Sequence, residues 1–301
     1  MWLYLLYLTG MQQEQCVLLV QNKDDLVSEC LFVTKPDFER EIWTGRRLTE
    51  EEIRESSGVE GVEDVDNLNQ TLDSLFSSQP VMTLWLCFDA LAPERSFDLE
   101  RAFAKQIQNR HPHIMIKNSY PLLAGMRKIK TPEEIDAIRK AMQITEAGIR
   151  RMIRAAKPGM MEYELEAEFM AELAAHGQRR TAFPSIIAGG ERIFYLHYTS
   201  LMSTVADGEL ILSDVGAPYD EYCTDISRVF PANGHFSERQ AQLYQIAYAA
   251  NRAVMEQVHP GVFFPQLNRT CREVSFEGLN ALGLLDDFAD ISRYVWHGVA
   301  H

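Results

Sequence analysis

The sequence predicts a small α/β domain followed by a larger α+β domain, on three observations. Residues 1–120 alternate strand-like and helix-like runs. A helix–turn–helix pattern near residue 150 recurs about one hundred positions later. Between the two copies, two short apolar runs with one aspartate each bracket a turn and read as an antiparallel hairpin.

In the first domain, residues 16–20, 31–34, 81–87 and 113–116 read as strands. Residues 48–56, 67–77 and 97–109 read as helices, with apolar positions spaced by three and four. The stretch Arg40-Glu41-Ile42-Trp43-Thr44-Gly45-Arg46-Arg47 carries no chemistry by itself. Its tryptophan suits a core or an interface, and its arginines suit a solvated face. The apolar opening, residues 1–8, is too short to span a bilayer and lacks the basic lead of a signal peptide. Five cysteines, an odd number without CxxC spacing, suit small buried apolar positions in a reducing compartment. Cytoplasmic localisation is the expectation.

The character of the chain changes over residues 121–130, which places a domain boundary near 122 and gives domains 1–121 and 122–301. Thr131-Pro132-Glu133-Glu134 forms a capping box with proline at the first helical position. The helix it opens is expected to bury Ile135, Ile138, Met142, Ile149, Met152 and Ile153, and to end before Lys157-Pro158-Gly159. A second helix over 162–175 closes at Gly177. A shift of 102 positions aligns Ile144, Ala147, Arg150, Pro158 and Gly159 with Ile246, Ala249, Arg252, Pro260 and Gly261, and the second copy also closes on a glycine, Gly283. Matching helix pairs on either side of a hairpin imply a pseudo-symmetric domain with helices covering one face of an antiparallel sheet.

The hairpin is the centre of this domain. Its arms are residues 210–216 and 222–230, and they carry Asp214 and Asp225, eleven positions apart. If the turn closes at Tyr219-Asp220, facing positions sum to 439 and the two aspartates stand directly opposite each other. Opposed side chains share a face about 4.5–5.5 Å apart. Two carboxylates so placed among Tyr222, Cys223, Ile226 and Val229 repel each other and are costly to desolvate. A divalent cation between them removes both costs. The alternative is one aspartate ending a strand and an unrelated one in an exposed strand.

Other residues bear on function less sharply. His297 and His301 are four apart, a spacing that shares a helix face, and two surface histidines fit the same pattern. His197, in the run Phe194-Tyr195-Leu196-His197-Tyr198, reads by itself as a half-buried histidine in an aromatic strand. Gly189-Gly190 could cradle a phosphate but lacks the rest of any such motif. No GxSxG elbow, P-loop or Gly-rich dinucleotide turn occurs. The net charge of −14 argues against nucleic acid and anionic membranes as partners, and is compatible with a cationic group such as a peptide N-terminus.

The order Leu196-His197-Tyr198, Asp214-Val215-Gly216, a second aspartate in Thr224-Asp225-Ile226-Ser227-Arg228-Val229-Phe230-Pro231, then His297-Gly298 and His301 closely resembles the Xaa-Pro peptidases of the pita-bread fold. The aminopeptidase P branch is nearest and prolidase next. The stretch Arg40–Arg47 and the domain around it resemble the N-terminal domain of aminopeptidase P. The resemblance implies a pita-bread α+β second domain holding two divalent metal ions, manganese foremost, with zinc or cobalt as alternatives. Asp214 and Asp225 would be metal ligands, the second bridging both ions, and His301 the nitrogen ligand. His197 and His297 would contact substrate and stabilise the transition state. The implied reaction is release of the N-terminal residue from peptides with proline second, by attack of a metal-bridging hydroxide. The implied assembly is a homo-oligomer of the full-length protein. Prolidase-type dipeptide cleavage and a non-catalytic peptide- or protein-binding module of the same fold are the alternatives.

The family's two metal-binding glutamates and a further histidine lie C-terminal to the HGxxH motif, whereas this sequence ends at His301. Its first residues also fall where an early strand is expected. The sequence is therefore expected to be an inactive internal piece of a longer protein.

Overall fold

The computed structural model describes residues 2–13, 15–78, 82–88 and 99–299. Contacts divide the chain into two units, Met1–Thr131 and Pro132–His301.

The first unit opens with helix α1 (Trp2–Thr9), where an early strand was expected. Its Leu-rich run has no alternation of apolar and polar residues, so no strand face is specified. Strands β1 (Val17–Lys23) and β2 (Leu26–Val33) form an antiparallel hairpin, turning on Asp24 and Asp25, both at left-handed φ. Strand β3 (Gly61–Asp64) joins β2 in parallel. Helices α2 (Phe38–Thr44) and α3 (Glu50–Ser57) lie between β2 and β3 in sequence, and Thr49 caps α3 in a reciprocal capping box with Glu52. Helix α4 (Leu68–Ser78) follows β3. Strands β4 (Met82–Leu86) and β5 (Ile114–Asn118) pair in parallel around helix α5 (Leu99–Arg110) in sequence. One core gathers Met11, Leu31, Val33, Ile53, Val59 and Val62, and another gathers Leu72, Phe76, Ile107 and Ile114.

Helix α6 (Tyr120–Lys128) also belongs to this unit, so the boundary falls ten residues beyond the expected one. The reason is aromatic. Tyr120 meets Tyr4 edge-on at 6.1 Å, and the Arg127 guanidinium lies over the rings of Tyr4 and Tyr7 at 5.3 and 6.0 Å. Trp43 is 88% exposed, so it is not a core residue of this unit. None of the five cysteines is joined in a disulfide, and burial pushes the Cys16 thiol up to about 11. Among the described residues, no helix is long and apolar enough to cross a membrane.

The second unit is the predicted α+β arrangement. Helix α7 (Pro132–Ala155) packs on helix α8 (Glu162–Ala175). Strand β6 (Ile186–Gly189) and strand β10 (Ile226–Pro231) flank β7 (Leu210–Val215), both antiparallel to it. The short strands β8 (Pro218–Tyr219) and β9 (Tyr222–Cys223) extend the β7–β10 hairpin to its turn. Helices α9 (Glu238–Glu256) and α10 (Phe264–Ala281) form the second pair, followed by a 3₁₀ segment, Phe288–Arg293. Ile211 and Val215 of β7, Ile187 of β6 and Phe230 of β10 enclose one core with Ile144, Met152, Leu165, Phe169 and Leu173.

The buried face of α7 is rotated from the expected one. Ala137, Ala141, Ile144, Thr145, Gly148, Ile149 and Met152 are buried, whereas Ile135, Met142 and Ile153 are exposed. Close helix packing selects small residues here. A Cβ on Gly148 would sit 2.5 Å from the ring of Phe169, so the helices approach only because that position lacks a side chain.

Candidate metal centre

The turn of the central hairpin is Asp220-Glu221, both at left-handed φ (45° and 63°). Facing positions therefore sum to 441, two more than expected: Tyr219 pairs with Tyr222, and Asp214 with Ser227. Direct opposition of Asp214 and Asp225 is thus corrected to a diagonal relation. A shift of two preserves faces, because side chains alternate with period two. A regular ladder carried through to Asp225 would put both carboxylates on one side of the hairpin, where diagonal neighbours stand about 7–8 Å apart. Asp214 is half-buried and accepts from Ser227 Oγ at 2.8 Å. Asp225 is exposed, contrary to the expectation that apolar neighbours enclose it.

Three contacts fasten this hairpin to α7. Thr145 Oγ1 accepts from Ala217 N at 2.9 Å, donates to Ala141 O at 2.9 Å, and lies 2.6 Å from Thr224 Oγ1, all buried. Tyr222 donates its hydroxyl proton to Glu134. Lys140 reaches Tyr219 OH at 3.2 Å and stands 4.8 Å over its ring. The two arms nearly touch between the aspartates: a Cβ on Gly216 would lie 1.8 Å from Thr224 O. Glycine at 216 is thus the condition for Asp214 and Asp225 to belong to one tightly closed hairpin. At the turn, Arg180 pairs with Glu221, which holds the Arg180 guanidinium pKa above its ordinary value.

The histidines are placed differently from one another. His197 is exposed in a turn after the 3₁₀ segment Gly190–Phe194, so the expected aromatic strand is not formed there. That segment is fixed from below. Glu162, fully buried at the start of α8, accepts from Gly189 N at 2.9 Å, Arg192 Nε at 2.8 Å, Tyr198 OH at 2.7 Å and Ser203 N at 3.1 Å. Gly189 N–H is spent on that carboxylate, which removes it from any phosphate cradle. His297 is exposed, with Nδ1 donating to Gly298 O at 2.7 Å, and the following Val299 N donates to Asn268 Oδ1 of α10 at 2.8 Å. His301 lies outside the described residues.

Among the described residues, no group of three or more His, Cys, Asp and Glu side chains is assembled to hold a metal ion. The register sets Asp225 diagonal to Asp214, and neither His197 nor His297 joins them in such a group. As hard oxygen donors, the two carboxylates fit a divalent cation by chemistry. Sequence reading missed Glu162 and Thr145. A threonine within the small-residue row Ala137, Ala141, Gly148 was a usable clue to the second, whereas Glu162 looks like any acidic first-turn residue.

The model of metallopeptidase family M24 matches residues 136–301, and that of the aminopeptidase P N-terminal domain matches residues 3–85. The chain belongs to metallopeptidase family M24. Members of this family are hydrolases, and the architecture is the pita-bread domain preceded by an aminopeptidase P-type N-terminal domain. The chain is 30% identical to the Xaa-Pro aminopeptidase of Escherichia coli, over 98% of this chain and 69% of that protein. It is 28% identical to the Xaa-Pro dipeptidase of Rattus norvegicus, over 92% of this chain and 57% of that protein. A Bacillus anthracis structure, solved as an aminopeptidase P candidate, superposes with a TM-score of 0.96 at 36% identity, covering 99% of this chain and 71% of that one.

Proposed function

We propose that this chain carries metal- and substrate-binding residues of an aminopeptidase that releases the N-terminal residue from peptides with proline in second position. The observation that carries the reading is the hairpin register, which pairs Asp214 with Ser227 and so sets Asp225 diagonal to Asp214, in a hairpin pinned to α7. Similarity to the Escherichia coli enzyme supports the substrate class. Asp214, Asp225 and His301 would hold two divalent ions, manganese first among the candidates. Bound there, such ions would supply Lewis-acid activation of water and of the scissile carbonyl.

The chain's own residues do the rest. Ser227 orients the Asp214 carboxylate through its 2.8 Å hydrogen bond. His197 and His297, outside the ligand set, donate N–H groups toward substrate oxygens, where one such donor accounts for a rate factor of roughly 10²–10³. The surplus of negative charge suits the cationic N-terminus of a peptide. Cleavage of Xaa-Pro dipeptides is the second reading, supported by the likeness to the rat dipeptidase.

Manganese titration of the 301-residue chain by calorimetry tests the ligand assignment. Asp225→Ala should weaken or abolish whatever binding the chain shows, whereas His297→Ala should leave it intact. Unchanged binding in Asp225→Ala, or its loss in His297→Ala, refutes the roles given.

A further inference from the structure

A buried carboxylate ties down the segment that carries His197. Besides the four hydrogen bonds accepted by Glu162, the backbone contributes two between the same elements: Glu162 N donates to Ser203 O and Tyr163 N to Leu201 O, both at 3.0 Å. The donors to Glu162 come from both ends and the middle of residues 189–203. Arg192 supplies the compensating positive charge and also donates to Thr204 O at 3.1 Å. A carboxylate at this depth persists only with such partners, and bonds to a charged acceptor are the strong kind. Between the anchor points Phe194, Tyr195, Leu196 and His197 are exposed, so packing does not hold that stretch in place. Tyr198 adjoins His197, and its hydroxyl is bound to Glu162.

We propose that Glu162 is a positioning residue for His197, acting through Tyr198. The proposal rests on the substrate-contacting role given to His197 above. Its mechanism is geometric: the carboxylate fixes the chain one residue from the imidazole and leaves the imidazole itself exposed.

NMR of the 301-residue chain with labelled histidine, without metal or substrate, tests it. Tyr198→Phe keeps the ring and removes the hydroxyl link. It should shift or broaden the His197 ring resonances and speed amide exchange over residues 195–199 roughly tenfold, as for one lost hydrogen bond. His235 and His259 should not move, and the melting temperature should stay close to that of the parent. Glu162→Gln should reproduce the His197 effect; if that variant does not fold, Tyr198→Phe still decides. His197 resonances and exchange unchanged in Tyr198→Phe overturn the proposal. Adding an Xaa-Pro-Xaa peptide separates the two readings. A peptide that leaves the parent's His197 resonance unmoved, while Tyr198→Phe moves it, overturns the peptide-contacting role and supports positioning. A peptide that perturbs His197 in the parent, with no effect of Tyr198→Phe, does the reverse.

Discussion

The two helix pairs of the second unit share a local code and differ in what they bury. Each runs helix, basic residue-Pro-Gly, helix, glycine, and the matched glycines adopt matched backbones: Gly159 and Gly261 at φ +91° and +94°, Gly177 and Gly283 at +77° and +66°. The ridge that the second helix of each pair presents is not matched. In α8 it is Leu165, Phe169 and Leu173, all fully buried against the sheet strands and α7. The corresponding residues of α10, 102 positions on, are Leu267, Cys271 and Ser275. The second pair has a smaller core, Leu279, Leu285 and Ile291, while Tyr248, Met255, Phe263 and Phe264 stay exposed. Local sequence thus sets the shape of a helix pair, and side-chain volume along one ridge sets how much holds it.

The largest expected difference follows from that ridge. Phe169→Ala should cost about 3–5 kcal/mol, because a fully buried ring leaves a cavity between α7, α8 and β7. Cys271→Ala, at the matched position, removes one sulfur from a half-buried site and should cost about 1 kcal/mol. Urea unfolding of both variants measures this. Equal losses would mean that the two pairs are stabilised alike despite their different ridges.

The helix crossings give a second, smaller contrast. Each pair crosses on a glycine, Gly148 against Phe169 and Gly278 against Ile246, where an added Cβ would approach to 2.5 and 2.6 Å. Alanine gains about 1 kcal/mol of helix propensity at either site. Phe169 is enclosed and cannot yield, so Gly148→Ala should be destabilising overall by about 2 kcal/mol. Ile246 is only half-buried and can change rotamer, so Gly278→Ala should be near neutral. A neutral Gly148→Ala would show that the first pair can spread.

Thr145 marks the point where the first pair becomes part of the candidate site. Its counterpart 102 positions on is Ala247, which is exposed. Thr145→Val keeps the shape but leaves Ala217 N with Thr224 Oγ1, at 3.2 Å, as its remaining hydroxyl partner. The cost should be about 1.5 kcal/mol, with faster amide exchange at Ala217 and Thr224, the residue preceding Asp225. Ala247→Val should leave that hairpin's exchange unchanged.

What was legible in the sequence divides along the same line. Helices, caps and strands are written locally, and the alternation through residue 120, both helix pairs and the hairpin were readable. Register and burial depend on partners far away in sequence. The hairpin turn carries Asp220-Glu221 rather than a glycine, so nothing in the sequence excluded closure one residue earlier. The register pairs Asp214 with Ser227 rather than Asp225, an error of two that leaves the parity of the two positions along the ladder unchanged. On α7, hydrophobicity pointed to Ile135, Met142 and Ile153, while the space beside Phe169 required Ala141 and Gly148. His197 sits in an aromatic run that reads as a strand, yet the chain there follows the bonds of Glu162, a residue 35 positions earlier with nothing to set it apart. Asp225 looked enclosed by apolar neighbours in sequence, but Tyr222 and Ile226 alternate away from it and Cys223 is itself exposed.

The smallest predicted effect is the one that should not distinguish the two pairs at all. Gly159 and Gly261 end the basic residue-Pro-Gly turns at nearly the same left-handed φ, and nothing lies within 4 Å of where a Cβ would be on either. Alanine at these sites therefore meets no neighbour, and the whole cost is that of holding an L-residue at positive φ, about 1 kcal/mol. That cost is a property of the backbone and is indifferent to how well the flanking helices are packed. Gly159→Ala and Gly261→Ala should accordingly lower stability equally, read as amide exchange in α7–α8 and in α9–α10 and as urea midpoints with unchanged slope. If Gly261→Ala is harmless while Gly159→Ala costs the full amount, the second turn relaxes to negative φ because its helix pair is loosely held. The packing difference would then reach into the local code, and the separation between the two levels drawn above would fail.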